Sequence, residues 1–137
     1  MTTAAEAPPA LPEVTFVAPL PGLEELTRFA LVRLDDTGTL YSLQSLETDG
    51  VRLVVLAPGT WFPDYAPVVE EDDVDGLGLE RAEDALLLVV VTPGASLAGS
   101  TANLLAPIVV HAATGRAAQV VLAGADHPLR APLLAAA

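Results

Sequence analysis

Carboxylates are the side chains of this sequence that are best placed to do chemistry, because acidic residues crowd between Val68 and Asp84. Carboxylate oxygens at alternate positions are typical of calcium-binding loops. When the segment is aligned on the central glycine of such a loop, Glu71, Asp73 and Asp75 take the first three ligand positions. The bidentate carboxylate that closes the loop is missing, because that position is Ala82. We therefore interpret the segment as a solvated acidic face and predict no metal site.

Nucleophile and base patterns are also incomplete. Ser96 lies between two glycines, but the spacing misses that of a nucleophile elbow by one residue. His111 and His127 are the two histidines that could act as a base, and neither has a spacing that implies a catalytic triad, although Asp126 precedes His127. A phosphate-binding Walker loop needs a lysine, and the chain has none. We predict no catalytic residues and no cofactor, so we expect that the protein is not an enzyme.

Composition narrows the class of partner. The 137 residues suffice for one domain, and the absence of cysteine fits a reducing cytoplasm. The formal net charge of −12 opposes binding to nucleic-acid phosphates and to anionic lipid, and it favours a basic protein partner. The longest apolar run is far shorter than the roughly 20 residues of a membrane-spanning helix. We expect a cytoplasmic protein that binds neither membrane nor nucleic acid directly.

Two further stretches are candidates for protein binding. Trp61-Phe-Pro-Asp-Tyr65 holds three of the six aromatic residues. They either pack at a strand end or anchor an interface, where Trp and Tyr are enriched. In Thr101–Val110, Asn103 stands among apolar residues, so we expect its carboxamide to bond the backbone at a bend between strands. Pro107 cannot donate to a strand ladder and is expected at the first residue of a strand.

These residues must be positioned by strands. Alternating and β-branched runs joined by short turns predict a mainly β fold, an antiparallel β-barrel-like structure or a two-sheet sandwich, with one or two short helical turns. Residues 1–18 are predicted to be a flexible N-terminal tail and residues 19–137 a single domain. A helical turn is expected at 22–27. Strands are expected at 14–17, 28–34, 40–46, 51–56, 85–92, 108–111 and 119–122, with an extended edge segment or docking tail at 126–133.

Several of these motifs together resemble the FliW family of flagellar assembly factors. The matching segments occur in the family's order over about residues 19 to 133. They are Leu20-Pro-Gly-Leu-Glu-Glu-Leu with Arg28-Phe-Ala-Leu, Leu43-Gln-Ser-Leu46, Trp61-Phe-Pro-Asp-Tyr65, Thr101-Ala-Asn-Leu-Leu-Ala-Pro-Ile-Val109, Gln119-Val-Val-Leu122 and Pro128-Leu-Arg130. His111-Ala112 and His127 depart from the family's usual residues.

The resemblance implies a non-enzymatic β-barrel-like protein, monomeric when free, that binds two partners in turn. One is the RNA-binding translational repressor CsrA, and the other is cytoplasmic flagellin. Accumulated flagellin would occupy the protein and release CsrA, which then represses flagellin translation. We predict that the acid cluster, residues Glu70 to Asp75, faces CsrA, which is basic, and that Trp61, Phe62 and Tyr65 form or support this contact. Flagellin is expected to bury apolar helix surface in a groove or along a strand edge, with Asn103 to Ile108 as the suggested place. The predicted protein-binding residues are Trp61, Phe62, Asp64, Tyr65, Glu70, Glu71, Asp72, Asp73, Asn103, Leu104, Pro107 and Ile108.

Two alternatives remain open at the level of the sequence. A small β-barrel that binds a ligand, or a hydrolase-like enzyme with an internal pocket, would hold a metabolite inside the barrel. A protein that mimics nucleic acid would use its carboxylates as a decoy. The concentration of the acids in one segment, rather than along every strand, disfavours the decoy.

Overall fold

Strands dominate the part of the chain that the structure describes. The computed structural model describes residues 13–17, 20, 26–34, 40–48, 50–62, 65, 67, 69, 74, 76–79, 84–94, 99–122 and 127–133. Within these ranges the elements are β1 (Val14–Phe16), β2 (Arg28–Arg33), β3 (Leu40–Ser45), β4 (Arg52–Leu56), α1 (Pro58–Trp61), β5 (Ala85–Thr92), β6 (Thr101–Ala102), β7 (Ile108–His111), β8 (Arg116–Gln119) and β9 (Ala131–Pro132).

The strands close into a barrel. β1 to β4 form an antiparallel meander, β4 pairs with β5, β5 with β7 and β7 with β8, each antiparallel. A parallel pair between β8 and β1 closes the ring of β1, β2, β3, β4, β5, β7 and β8. The short strands β6 and β9 extend the sheet from the end of β5. The prediction of a mainly β, barrel-like fold is confirmed, and the barrel rather than the sandwich is the form adopted.

Turn chemistry sets the register of the meander. Gly50 has a φ of +87° between β3 and β4, a conformation that favours glycine in a tight hairpin. The resulting register places Leu43 opposite Leu31 of β2 and Leu53 of β4. Because side chains on a strand alternate between faces, these leucines share the inner face of the barrel.

Apolar side chains fill the barrel interior. Phe16 and Phe29 meet edge to face with ring centroids 5.6 Å apart, a preferred aromatic geometry. We call the buried interior set cluster 1, and its members are Val14, Phe16, Leu20, Phe29, Tyr41, Leu43, Val55, Leu88, Ile108, Val110 and Ala117. The interior is therefore packed hydrophobic core.

Two further apolar clusters lie on the outer face of the barrel. Cluster 2 joins the ends of β4 and β5 to the C-terminal segment and comprises Leu56, Val89, Val91, Ala102, Leu104, Ala131 and Leu133. Cluster 3 lies over β7 and β8 and comprises Leu77, Val109, Ala118, Val120 and Leu122. Loop segments cover both, since Trp61 and Tyr65 pack on cluster 2 while Val69 and Val74 pack on cluster 3.

The last predicted hairpin forms with a corrected strand boundary. β8 spans Arg116–Gln119 instead of the predicted residues 119–122, because the turn ends at Gly115 with a φ of +80° and the chain can pair at once. Val120 still donates to the carbonyl of Pro107 at 2.9 Å. Pro107 directly precedes β7 instead of being its first residue. β9 is a short strand at the edge of the sheet, as expected for the tail.

Some predictions fall partly outside the described residues. Val14–Phe16 forms the first predicted strand and pairs with β2 and β8, whereas residues 1–12 lie outside the description. The division of the chain at residue 18 stays a prediction. Of the helical turn expected at 22–27, residues 22–25 lie outside as well. Among the helices that are described, none has the length and apolar character needed to cross a bilayer.

Candidate functional site

The aromatic stretch after β4 packs against the barrel. α1 places Trp61 and Phe62 beside cluster 2, and Phe62 donates to the carbonyl of Pro58 at 2.7 Å. Trp61, Phe62 and Tyr65 are all half-buried. Core packing at a strand end is thus observed, and each of the three residues keeps part of its surface exposed. Asp64, the polar member of the predicted set, lies outside the described residues.

Tyr65 connects this stretch to the bend after β6. Its hydroxyl donates to the carbonyl oxygen of Leu104 at 2.6 Å. Burial raises the pKa of the phenol to about 12, because desolvation disfavours the phenolate. The ring of His127 meets the Tyr65 ring edge to face, with centroids 5.0 Å apart. Tyr65 therefore joins α1, the bend and the C-terminal segment.

Asn103 fixes the bend, as the sequence predicts. Its Oδ1 accepts hydrogen bonds from the backbone N–H groups of Leu105 at 3.0 Å and Ala106 at 3.1 Å. The backbone N–H of Asn103 donates to the carbonyl of Val90 on β5 at 2.8 Å. A carboxamide that satisfies two N–H groups at a turn is a structural element of that turn.

The other predicted residues of the bend are buried. Leu104 belongs to cluster 2 and Ile108 to cluster 1, and Pro107 is among the most deeply buried side chains. In this conformation Leu104, Pro107 and Ile108 are part of the packed core. Their contribution to partner binding, like that of Asn103, stays a prediction.

The apolar residues that flank the acid cluster in sequence pack on the barrel. Glu70, Glu71, Asp72 and Asp73 lie outside the described residues. On either side of them, Val69 and Val74 pack against cluster 3, and Leu77 is one of its fully buried members. These flanking residues therefore pack over β7 and β8, and the placement of the predicted acidic surface stays a prediction.

The described side chains assemble no catalytic group. The Nδ1 atom of His111 accepts the backbone N–H of Ala113 at 3.1 Å, which occupies a lone pair that a general base would need. His127 packs on Tyr65, while Ser96 and Asp126 lie outside the description. Within the described ranges, no three residues among Asp, Glu and His come together in a way that would hold a metal ion.

Two buried polar atoms were not foreseen from the sequence. Ser42 Oγ and Trp61 Nε1 are shielded from solvent, and neither has a hydrogen-bond partner within the described structure. Ser42 lies between Val32 and Val54 in the register of β2, β3 and β4. Val54 and Trp61 both pack on cluster 2. The alternation of β3 could have identified the outward position of Ser42, but its burial depends on neighbouring strands.

Comparisons with known proteins agree on one family. The model of the FliW protein family matches residues 3–133. The flagellar assembly factor FliW of Clostridium beijerinckii is 31% identical over 113 residues, which are 82% of this chain and 80% of that protein. The flagellar assembly factor FliW of Thermotoga neapolitana is 38% identical over 112 residues, covering 81% of this chain and 75% of that protein.

A solved structure agrees with these sequence matches. A crystal structure of the flagellar assembly factor FliW superposes with a TM-score of 0.84 at 27% sequence identity. The alignment covers 90% of this chain and 86% of the crystallised one. The solved structure and the sequence matches therefore point to the same fold and the same family.

Proposed function

Because the chain belongs to the FliW family, we propose that it is a cytoplasmic flagellar assembly factor that binds two proteins in turn, the translational repressor CsrA and flagellin. The match of the family model to residues 3–133 is the observation that carries this proposal. The chain acts by binding and not by catalysis. When flagellin accumulates, it occupies this protein, and the released CsrA represses flagellin translation. When flagellin is exported, the protein is free to hold CsrA again.

The charge of the chain supports a basic partner. With a net charge of −12, the protein attracts a basic, RNA-binding surface over distances comparable to the Debye length. Glu70, Glu71, Asp72 and Asp73 supply the densest negative charge in the sequence. Carboxylates held near the RNA path of CsrA also repel phosphates, so inhibition does not require that they occupy the RNA site.

The half-buried aromatic residues support the contact with CsrA. Trp61, Phe62 and Tyr65 rest on cluster 2 and keep part of their surface exposed. Rings held on a packed base lose little side-chain entropy on binding, which is one reason aromatic residues dominate interface energetics. In the proposal they form an apolar contact, with Asp64 contributing charge beside them.

Calorimetric titration of CsrA into the protein tests the assignment of the acid cluster. In the first variant, Glu71→Gln, Asp72→Asn and Asp73→Asn are combined. A matched variant combines Asp35→Asn, Asp36→Asn and Asp49→Asn, which changes the net charge equally at a different place. We expect the first to weaken CsrA binding about tenfold, which corresponds to about 1.4 kcal/mol, and the second to weaken it far less.

The dependence of CsrA affinity on ionic strength tests whether the acid cluster makes a local charged contact. A local contact gives a gap between the two variants that narrows as salt is raised, since screening reduces the charged contribution. Unchanged affinity of the Glu71, Asp72 and Asp73 variant at both low and moderate salt would reject the assignment. Adding flagellin to the preformed complex tests the switch itself, and CsrA that stays bound at saturating flagellin contradicts it.

A further inference from the structure

Two buried polar atoms without a hydrogen-bond partner in the described structure, Ser42 Oγ and Trp61 Nε1, border cluster 2. Ser42 is 3% exposed and lies on the outer face of β3, where Val54 of β4 is its cross-strand neighbour. Leu40 shares that face, two residues before Ser42. Leu40 and Val54 pack on cluster 2, as Trp61 does. The two polar atoms therefore share one apolar neighbourhood.

Burial without a partner makes both atoms unfavourable in this conformation. A buried donor or acceptor that is not bonded keeps the full cost of losing its contact with water. Native proteins bond nearly all such groups, and the exceptions are places where a fold stores strain. Movement of the Trp61 indole into water would give Nε1 an acceptor, and it would also expose Ser42 Oγ if the indole covers that hydroxyl.

The element that carries Trp61 is weakly held by its own backbone. α1 is a single turn of four residues, closed by the N–H of Phe62, which donates to the carbonyl of Pro58 at 2.7 Å. Ala57 at its N-terminus makes no side-chain capping hydrogen bond, and a β carbon added at Gly59 would meet no described atom within 4 Å outside its own helix. A turn of this length is not stable without packing. α1 therefore depends on the contacts of Trp61 and Phe62 with cluster 2.

The chain is fixed to the barrel on both sides of α1. β4 ends at Leu56, which is fully buried in cluster 2. After α1, the Tyr65 hydroxyl donates to the carbonyl of Leu104 at 2.6 Å, and the Tyr65 ring meets that of His127. Movement of α1 therefore needs neither the loss of the β4 pairing nor the loss of the Tyr65 contacts.

We propose that α1 is a flap with two states. In the docked state, which the structure shows, the Trp61 indole covers Ser42. In a less populated open state, Trp61 leaves cluster 2, both unbonded atoms reach water, and the apolar side chains beneath the indole become accessible. Burial of the indole favours docking, and the two unbonded atoms favour opening. The inference concerns the free protein and goes beyond the proposed function, so it does not depend on CsrA or flagellin.

Hydrogen exchange of the Trp61 indole measures the opening directly. The chain has one tryptophan, so its proton NMR spectrum contains a single indole N–H signal. Because Nε1 is buried, this proton exchanges with solvent deuterium when the flap opens. We expect exchange at least about 100-fold faster than that of the slowest amides of β3 and β4, since local opening requires less free energy than global unfolding. Low concentrations of urea should not change it, because local opening exposes little surface.

Two serine substitutions on β3 test the contact between the flap and the strand. Ser42→Ala removes a hydroxyl that is unbonded in the docked state and solvated in the open one, so it is expected to slow indole exchange at least about fivefold. Ser45→Ala is the matched control, because Ser45 Oγ accepts the N–H groups of Glu47 and Thr48 at the end of the same strand. It should leave indole exchange within about twofold of the unmodified protein.

Several results would overturn the flap. Indole exchange that follows the core amides in rate and in urea dependence would mean that Trp61 leaves cluster 2 only on global unfolding. Exchange at the rate of free tryptophan would mean that the docked state does not shield Nε1. An unchanged rate in Ser42→Ala, or equal slowing in Ser45→Ala, would mean that the indole is not the cover of Ser42. None of these results bears on whether the protein binds CsrA or flagellin, so the proposed function is tested separately.

Discussion

Two buried serines show that the contribution of a hydroxyl to stability depends on whether it has a hydrogen-bond partner. Ser42 and Ser100 are the buried polar residues among the described positions. Ser100 Oγ accepts the backbone N–H of Gly94 at 2.9 Å, while Ser42 Oγ has no hydrogen-bond partner in the described structure. A buried hydroxyl that is bonded stabilises a fold modestly, and one that is not bonded destabilises it.

Alanine substitutions at these two positions are therefore expected to act in opposite directions. Ser42→Ala removes an unsatisfied hydroxyl and should raise the free energy of unfolding by about 1 kcal/mol, whereas Ser100→Ala should lower it by about 1 kcal/mol. Urea unfolding of the two variants beside the unmodified protein measures both values. A loss of stability in Ser42→Ala as large as that in Ser100→Ala would show that Ser42 Oγ is bonded after all.

Tyr65 gives the fold a dependence on alkaline pH. Burial raises the pKa of its phenol to about 12, so the folded chain holds this proton more tightly than the unfolded chain. The stabilisation is complete below the unfolded pKa of about 10 and is lost as the pH rises through the folded pKa. Because the chain contains no lysine, no lysine ammonium titrates alongside Tyr65 in this range.

Tyr65→Phe is expected to flatten this alkaline loss of stability. The variant also loses the hydrogen bond to Leu104, so it should be less stable near neutral pH by about 1 kcal/mol. Thermal unfolding between pH 8 and pH 12 compares the two proteins, with Tyr41 present in both. The two curves should converge as the pH rises. Parallel curves over the whole range would mean that Tyr65 does not titrate differently in the folded chain.

At the scale of elements, the C-terminal segment behaves as part of the barrel. β9 pairs with β6, and Leu133 donates to the carbonyl of Ser100 at 3.1 Å. Leu133 is 5% exposed in cluster 2, whereas Leu129 in the same segment is 56% exposed. The segment is also held at its beginning, where the ring of His127 packs on Tyr65 and Leu104 donates to the carbonyl of Pro128 at 3.0 Å. Leu129 therefore lies exposed between two anchored ends.

This contrast predicts the effect of truncating each leucine. Leu133→Ala should lower the free energy of unfolding by about 2 kcal/mol or more, since a buried leucine is removed from a packed cluster. Leu129→Ala should change it by less than about 0.5 kcal/mol, as is usual on the surface. Denaturant unfolding measures both. Equal effects of the two substitutions would argue against docking of the segment on cluster 2.

Elements whose partners are close in sequence could be predicted, and the others could not. The β2–β3–β4 meander follows from alternation and from a turn that requires Gly50. The start of β8 was missed because Ala117 and Ala118 carry little strand preference, and only packing shows that they are buried. The parallel β1–β8 pair and the two-residue strands β6 and β9 depend on contacts between distant parts of the chain.

Some features of the candidate site could be predicted from the sequence, and others depend on packing. The role of Asn103 could be predicted, because a carboxamide among apolar residues must find local partners. Alternation in β2 indicated that Arg28, Val32 and Leu34 share a face. Whether that face is covered depends on where the loops after β4 and before β5 pack, and the sequence carries no short-range signal for this.

At the scale of the whole molecule, the excess of negative charge affects the stability of the closed barrel. Val69 and Val74, which flank the acid cluster in sequence, pack over β7 and β8, while Arg28, Arg33 and Arg52 lie on β2 or β4. Eighteen acidic and six basic residues leave an excess of like charge on a small body. Such self-repulsion destabilises a compact state and is reduced by salt.

Thermal stability is therefore expected to rise with ionic strength. Between about 20 mM and 300 mM sodium chloride the Debye length shortens to less than about 10 Å, and the melting temperature of the unmodified protein should increase. The ion pair between Arg28 and Glu13 is exposed, so screening by salt removes little stabilisation there. The combined Glu71→Gln, Asp72→Asn and Asp73→Asn variant should gain less from salt, because part of the repulsion is already removed. A melting temperature that falls with salt, or an equal gain in the variant, would show that repulsion centred on the acid cluster does not limit the stability of this barrel.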